Sequence, residues 1–229
     1  MRKKLANVIP KYSILPLAAV LIANILAYYV TRLFTGGLTH VDMTTAVDRA
    51  IPFVPAFSAI YVLAYLQWIV GFILIAREEK EFSFRVLSGE IIAKLICAVL
   101  FLVIPTTMVR ADITGNGFFS ETVRLLYRID TPDNLFPSLH CLESWLCFRA
   151  AMKMKKTGRA YTYCSLVFTL LVFASTVFIK QHVVVDIIAG VLVCEIGQLV
   201  AEKANTGRLF ERLDAAVCRK RSTESENEK

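Results

Sequence analysis

Residues 179–200 read Ile-Lys-Gln-His-Val-Val-Val-Asp-Ile-Ile-Ala-Gly-Val-Leu-Val-Cys-Glu-Ile-Gly-Gln-Leu-Val. From His182 to Val200 the run is predominantly apolar and about as long as a helix needs to be to cross a bilayer. It predicts a membrane span over about 182–200. The informative residues stand at its head. His182 and Asp186 are spaced i, i+4, so on one helix they share a face and can hydrogen-bond. Asp186 lies one turn into the apolar stretch, where a charge is costly and points to function by default.

The remainder of the chain agrees with a membrane setting. Of the 229 residues 56% are hydrophobic, and the mean hydropathy is +0.56, too apolar for an ordinary soluble domain. Spans are predicted at about 12–33, 56–76, 87–108, 137–152, 160–179 and 182–200, giving an all-α polytopic membrane protein with six transmembrane helices in one bundle. A membrane domain is expected over 1–202, then a charged cytoplasmic tail over 203–229, amphipathic at first and disordered beyond. The fourth span is the weakest, because it carries Glu143 and Arg149. Glu90 and Lys94 form an i, i+4 pair read as structural, with Lys94 close enough to the inner edge to snorkel. Tyr61, Tyr65 and Trp68 are expected near membrane interfaces.

The opening Met-Arg-Lys-Lys and the apolar run after it resemble a signal peptide. No small-residue cleavage site follows at a plausible distance, so a retained first span is expected. Six cysteines without a C-x-x-C pair read as small buried hydrophobes rather than as metal ligands or disulfides.

A net charge of +7 raises the question of nucleic acid. The basic residues cluster in loops between spans, which is the mark of topology, and no nucleic-acid partner is expected. Segments 1–11, 77–86, 149–159 and 203–229 hold nineteen of the twenty-six Lys and Arg residues. That bias predicts both termini in the cytoplasm. Arg110, His140, Lys180 and His182 then share the extracytoplasmic side, although the charge count takes no notice of histidine.

The second decisive stretch is Phe136-Pro137-Ser138-Leu139-His140, which holds another of the three histidines. Pro137 and Ser138 suit the first turn of a helix, whose free N–H groups favour an anion. A phosphate ester needs cations for its oxygens, a nucleophile for the phosphoryl group and an acid for the leaving alkoxide. His182, with its second nitrogen held by Asp186, suits the nucleophile. His140 suits the acid and, once deprotonated, the base that activates water. Arg110 offers a fork matched to phosphate oxygens and Lys180 a point charge. The long loop before Pro137 adds Arg124 and Arg128, one turn apart on any helix, together with Asp130 and Asp133. No carboxylate cluster of the kind that holds magnesium is present, so neither a metal nor another cofactor is expected. A Ser-His-Asp hydrolase built on Ser138 would need a G-x-S-x-G elbow, which is absent. His40 reads as a loop residue.

These stretches resemble the second and third motifs of the type-2 phosphatidic acid phosphatase superfamily. Its P-S-G-H is matched by Pro137, Ser138 and His140, with Leu139 in place of Gly. Its S-R-x5-H-x3-D is matched by Ser175, His182 and Asp186, with Thr176 in place of Arg. Of its K-x6-R-P, Arg110 matches the Arg, while Ala111 stands for the Pro and Val103 for the Lys. Two cations of the pattern are therefore missing, and Lys180, Arg124 and Arg128 are the candidates to replace them. The likeness spans about residues 41–200. It implies a six-span core and a metal-free phosphohistidine mechanism. The P-S-L-H form is also similar to the branch of inositol-phosphate and phosphocholine transferases that make sphingolipids.

The expected activity is hydrolysis of a lipid phosphate monoester or isoprenoid pyrophosphate. The expected catalytic residues are His140, His182 and Asp186; the expected phosphate-binding residues are Arg110, Ser138, Lys180, Arg124 and Arg128. The rivals are a phosphotransferase with a lipid-alcohol acceptor and a non-catalytic lipid-binding or transport relative. The short loops and compact length suit a bacterial plasma membrane.

Overall fold

Proline, glycine and charge decide where each apolar run begins and stops. The structure is a computed structural model and describes residues 8–227; the basic Arg2, Lys3, Lys4 and Lys229 of the charge count lie outside them. Helix α1 covers Lys11–Ile25, widens into a π-helical turn at Leu26–Val30 and finishes at Thr31–Thr35, ahead of Gly36 and Gly37. A short helix α2, Ala46–Ala50, is closed by a reciprocal cap in which the Asp48 N–H donates to Thr45 Oγ1 and the Thr45 N–H to the Asp48 carboxylate. The 3-10 turn Pro55–Phe57 leads into α3, Ser58–Arg77.

Helix α4 is Lys80–Val103, so the third span starts and stops earlier than the expected 87–108. Pro105 lacks an N–H and disfavours helix for the residue before it, and Ile104 accordingly sits at φ −130° and ψ 71°. Beyond it Thr106–Thr107 (β2) pairs in parallel with Val41–Asp42 (β1). The expected loop that follows contains an amphipathic helix, α5, Phe118–Ile129, with Val123 and Leu126 buried and Phe118, Leu125 and Ile129 exposed. Then come α6, Leu139–Lys153; α7, Arg159–Phe178; and α8, Val184–Ala204. In the tail α9 runs Gly207–Asn227, and Phe210 is buried against Phe84 of α4.

Five helices among the described residues are long and apolar enough to cross a membrane: Lys11–Thr35, Pro55–Arg77, Lys80–Val103, Arg159–Phe178 and Val184–Ala204. The chain is therefore an all-helical, multi-pass membrane protein. The remaining expected span is α6. At 15 residues it is only about 22 Å long, against a hydrocarbon core of about 30 Å. It can be short because it lies within the bundle, packed by α3, α7 and α8, with Leu142, Leu146 and Ala150 buried.

Close helix crossings depend on small residues, as membrane packing requires. A Cβ on Gly197 of α8 would stand 2.5 Å from the Gly89 carbonyl oxygen of α4. One on Gly190 would stand 2.6 Å from the Ser138 carbonyl oxygen at the head of α6. Cys97, Cys141, Cys147 and Cys194 are buried as expected, whereas Cys164 is exposed on α7.

Two polar networks thread the apolar core. Lys94 Nζ lies 2.6 Å from Glu143 and 3.3 Å from Glu90, with Lys94 and Glu90 fully buried. Lys94 does not snorkel; two carboxylates hold it inside the bundle. Towards the other end Arg149 reaches Glu195 and Glu202 at 3.0 and 3.5 Å.

Candidate active site

His182 is held by the turn between α7 and α8. The Gln181 and His182 N–H groups both donate to the Thr176 carbonyl, at 2.9 and 3.1 Å. Lys180 enters the turn at φ 53°, a left-handed conformation uncommon for a side chain-bearing residue. His182 precedes the first turn of α8 instead of lying within it, as the spacing had implied. Asp186, inside that turn, still reaches it. Its Oδ2 accepts from the Val183 N–H at 3.1 Å and lies 3.2 Å from His182 Nδ1. A carboxylate only accepts, so the proton sits on Nδ1 and Nε2 keeps its lone pair. The helix start further stabilises the negative charge.

His140 stands in the first turn of α6. Ser138 caps that helix, its Oγ accepting from the Cys141 N–H at 3.3 Å. The Ser138 N–H donates to the Asp186 carbonyl at 3.1 Å, and Gly190 lets the two helix heads approach. The two imidazole centroids are thereby brought to 6.2 Å. Both rings line one cavity.

Two cavities meet at His182. One of about 320 Å³ is also lined by Arg110, Lys180, Asp42, Asp48 and Arg49. A larger one of about 560 Å³ is lined by His140 and Glu143, by Tyr28, Tyr65, Trp68 and Asp130, and by apolar residues of α1 and α3.

The expected residues divide accordingly. Arg110 and Lys180 join His182. Arg110 donates to Gln181 Oε1 at 2.5 Å and to the Tyr127 carbonyl at 2.9 Å, its guanidinium 4.3 Å above the Tyr127 ring. Lys180 Nζ donates to the Asp48 and Ile51 carbonyls at 2.7 and 2.6 Å. Desolvation lowers the Lys180 pKa, with Asp48 opposing. Burial would raise the Asp48 carboxyl, but bonds from Thr45 and the Val184 N–H, with Lys180 nearby, hold it below the usual carboxylate range.

Arg124 and Arg128 line neither cavity. Arg124 is engaged by Glu121 and by the carbonyls of Ile113 and Gly115, while Arg128 is exposed. Where the motif's cations are missing, Val103 is exposed and Thr176 is buried beside Cys141.

Several site residues escaped sequence reasoning. Gln181 had no distinguishing pattern, and the Thr45-x-x-Asp48 spacing marked Asp48 only as part of a helix cap. Tyr61, Tyr65 and Trp68 surround His140, with ring centroids 4.1, 5.6 and 4.9 Å from its own. Their i, i+4, i+7 spacing shows one face, but not what the face covers. Among curated proteins none matches the chain. A family model described as the PAP2 superfamily matches residues 37–200.

Proposed function

Because the chain belongs to the type-2 phosphatidic acid phosphatase (PAP2) superfamily, a family of phosphatases and phosphotransferases, we propose that it hydrolyses a lipid phosphate monoester or an isoprenoid pyrophosphate through a phosphohistidine. The observation that carries the reading is the pair of imidazoles 6.2 Å apart, with Asp186 behind one of them. His182 Nε2 attacks phosphorus, an N–P bond forms, and the P–O bond to the leaving group breaks. His140, protonated, gives its proton to the departing oxygen. In the second half-reaction His140 takes a proton from water, whose oxygen bonds to phosphorus while the N–P electron pair returns to His182. Asp186 holds His182 in the reactive tautomer and stabilises its positive charge.

Arg110, Lys180 and the Ser138-capped start of α6 hold the phosphoryl oxygens, and the larger cavity holds the apolar part of the substrate. The site opens to the extracytoplasmic side of a plasma membrane, with both termini in the cytoplasm. Purified protein is expected to release phosphate from phosphatidic acid or an isoprenoid pyrophosphate in EDTA, and His182→Ala to abolish release. Undiminished turnover in that variant would reject the mechanism.

The size and apolar lining of the cavity beside His140 favour one second reading, transfer to a lipid alcohol. The first half-reaction is the same, and a lipid hydroxyl replaces water in the second. Labelled phospholipid incubated with and without diacylglycerol or ceramide separates the two by whether label enters a new lipid.

A further inference from the structure

His182 has a carboxylate behind it; His140 has none hydrogen-bonded to it among the described residues. Its Nδ1 instead lies 3.3 Å from the Tyr61 hydroxyl, and that hydroxyl donates at 3.3 Å to Asp130 Oδ2. The Asp130 Oδ1 accepts from Tyr28, which is carried by the π-helical turn of α1. Tyr61 stacks on the imidazole at 4.1 Å, and the phenol is 1% exposed. His140 Nε2 is buried without a hydrogen-bond partner among the described residues.

We propose that Asp130 and Tyr61 are positioning residues for His140, a relay that sets its tautomer as Asp186 sets that of His182. The inference rests on the acid–base role assigned to His140 above. A tyrosine has one O–H to give. A carboxylate is the stronger acceptor of the two neighbours, since hydrogen bonds to charged groups are roughly twice as strong as neutral ones. With that proton directed to Asp130, the Tyr61 oxygen accepts from His140 Nδ1–H. Nε2 is then the basic nitrogen; it has no hydrogen-bond partner among the described residues, and His140 lines the cavity it shares with His182. The opposite polarity would put the proton on Nε2, and His140 could not take a proton from water there. Asp130 lies in the long loop after α5, Tyr61 in α3 and Tyr28 in α1, so three separate segments converge on one imidazole.

The test reads the tautomer directly. Full-length protein labelled with ¹⁵N-histidine in detergent micelles, at about pH 8 where an ordinary imidazole is neutral, gives two-bond ¹H–¹⁵N patterns for its three histidines, with His140→Gln identifying that ring. Wild type is expected to show His140 protonated at Nδ1. Tyr61→Phe, which keeps the stacked ring, and Asp130→Asn, which keeps Tyr61, are each expected to shift His140 towards a tautomer mixture while His182 stays unchanged. With phosphatidic acid as probe, each is expected to lower kcat about ten- to hundredfold, with KM changed less than about threefold.

An Nε2–H ring in wild type, an unchanged His140 in both variants, or equal disturbance of both rings would overturn the relay. Should wild type show the expected tautomer but release no phosphate, the proposed activity falls and the relay stands. Should it release phosphate with His140 unmoved by either substitution, the relay alone falls.

Discussion

At the scale of single residues, the smaller cavity depends on charges held by backbone. Asp48 illustrates this. Its carboxylate closes the cap of α2 and accepts from the Val184 N–H at 2.7 Å, which ties that short helix to the head of α8, and the neighbouring Asp48 and Ile51 carbonyls hold the Lys180 ammonium. Because the folded carboxyl titrates below its ordinary range, its stabilising contribution is complete above the unfolded value of about 3.9 and is lost as pH falls through the lower folded value. Asp48→Asn is therefore expected to lower the thermal midpoint at neutral pH, with the gap from wild type closing in acid below that range. Loss of the cap alone costs about 1 kcal/mol. Thermal unfolding of both proteins in detergent from neutral to acid pH measures it, and a constant gap would count against the account.

Between elements, the decisive contact is the meeting of α6 and α8 at Gly190. An added methyl there runs into the Ser138 carbonyl, which is backbone and cannot rotate aside, and also crowds the Leu142 N–H at 3.2 Å. Gly197, about two turns further along α8, is equally tight against α4 but far from the imidazoles. Gly190→Ala and Gly197→Ala are both expected to destabilise by about 1–3 kcal/mol, the usual cost of overpacking. Only Gly190→Ala should also lower phosphate release, by about 100-fold, because a misplacement of about 1 Å between reacting groups costs that much. Unfolding midpoints beside kcat for the two variants make the comparison. Equal activity in both would detach the Gly190 crossing from catalysis.

Over the whole molecule, buried charge and a divided cavity coexist with a lipid-facing apolar exterior. Lys94 holds Glu90 and Glu143 together inside the bundle, and Glu143 also lines the larger cavity next to His140. Lys94→Met leaves two buried carboxylates without their cation and is expected to cost about 3–5 kcal/mol. Neutralising all three, with Glu90→Gln and Glu143→Gln added, should recover most of that loss, because a buried ion network and a neutral replacement are often similar in energy. Thermal unfolding in detergent of the single and triple variants decides it.

Local spacing and solvent preference make part of this molecule readable before any tertiary contact is known. Long apolar runs in water-free surroundings must become helices, since every backbone N–H and C=O needs a partner within the segment; the multi-pass all-α fold follows. His182 and Asp186 were legible as a pair because four residues separate them, and the helix head at Ser138 because capping is local. The short α6 was less legible, since its buried Glu143 and Arg149 are tolerated only through partners on α4 and α8. The amphipathic α5 passed for loop because its apolar stripe gains its value from the bundle beneath it. Which cations accompany His182, and that the aromatic face of α3 closes over His140, emerge only when the helices pack. The same holds for Asp130, which reaches Tyr61 across 69 residues of chain. Such contacts leave no periodicity in the chain, because they are made by helix packing rather than by neighbours in sequence.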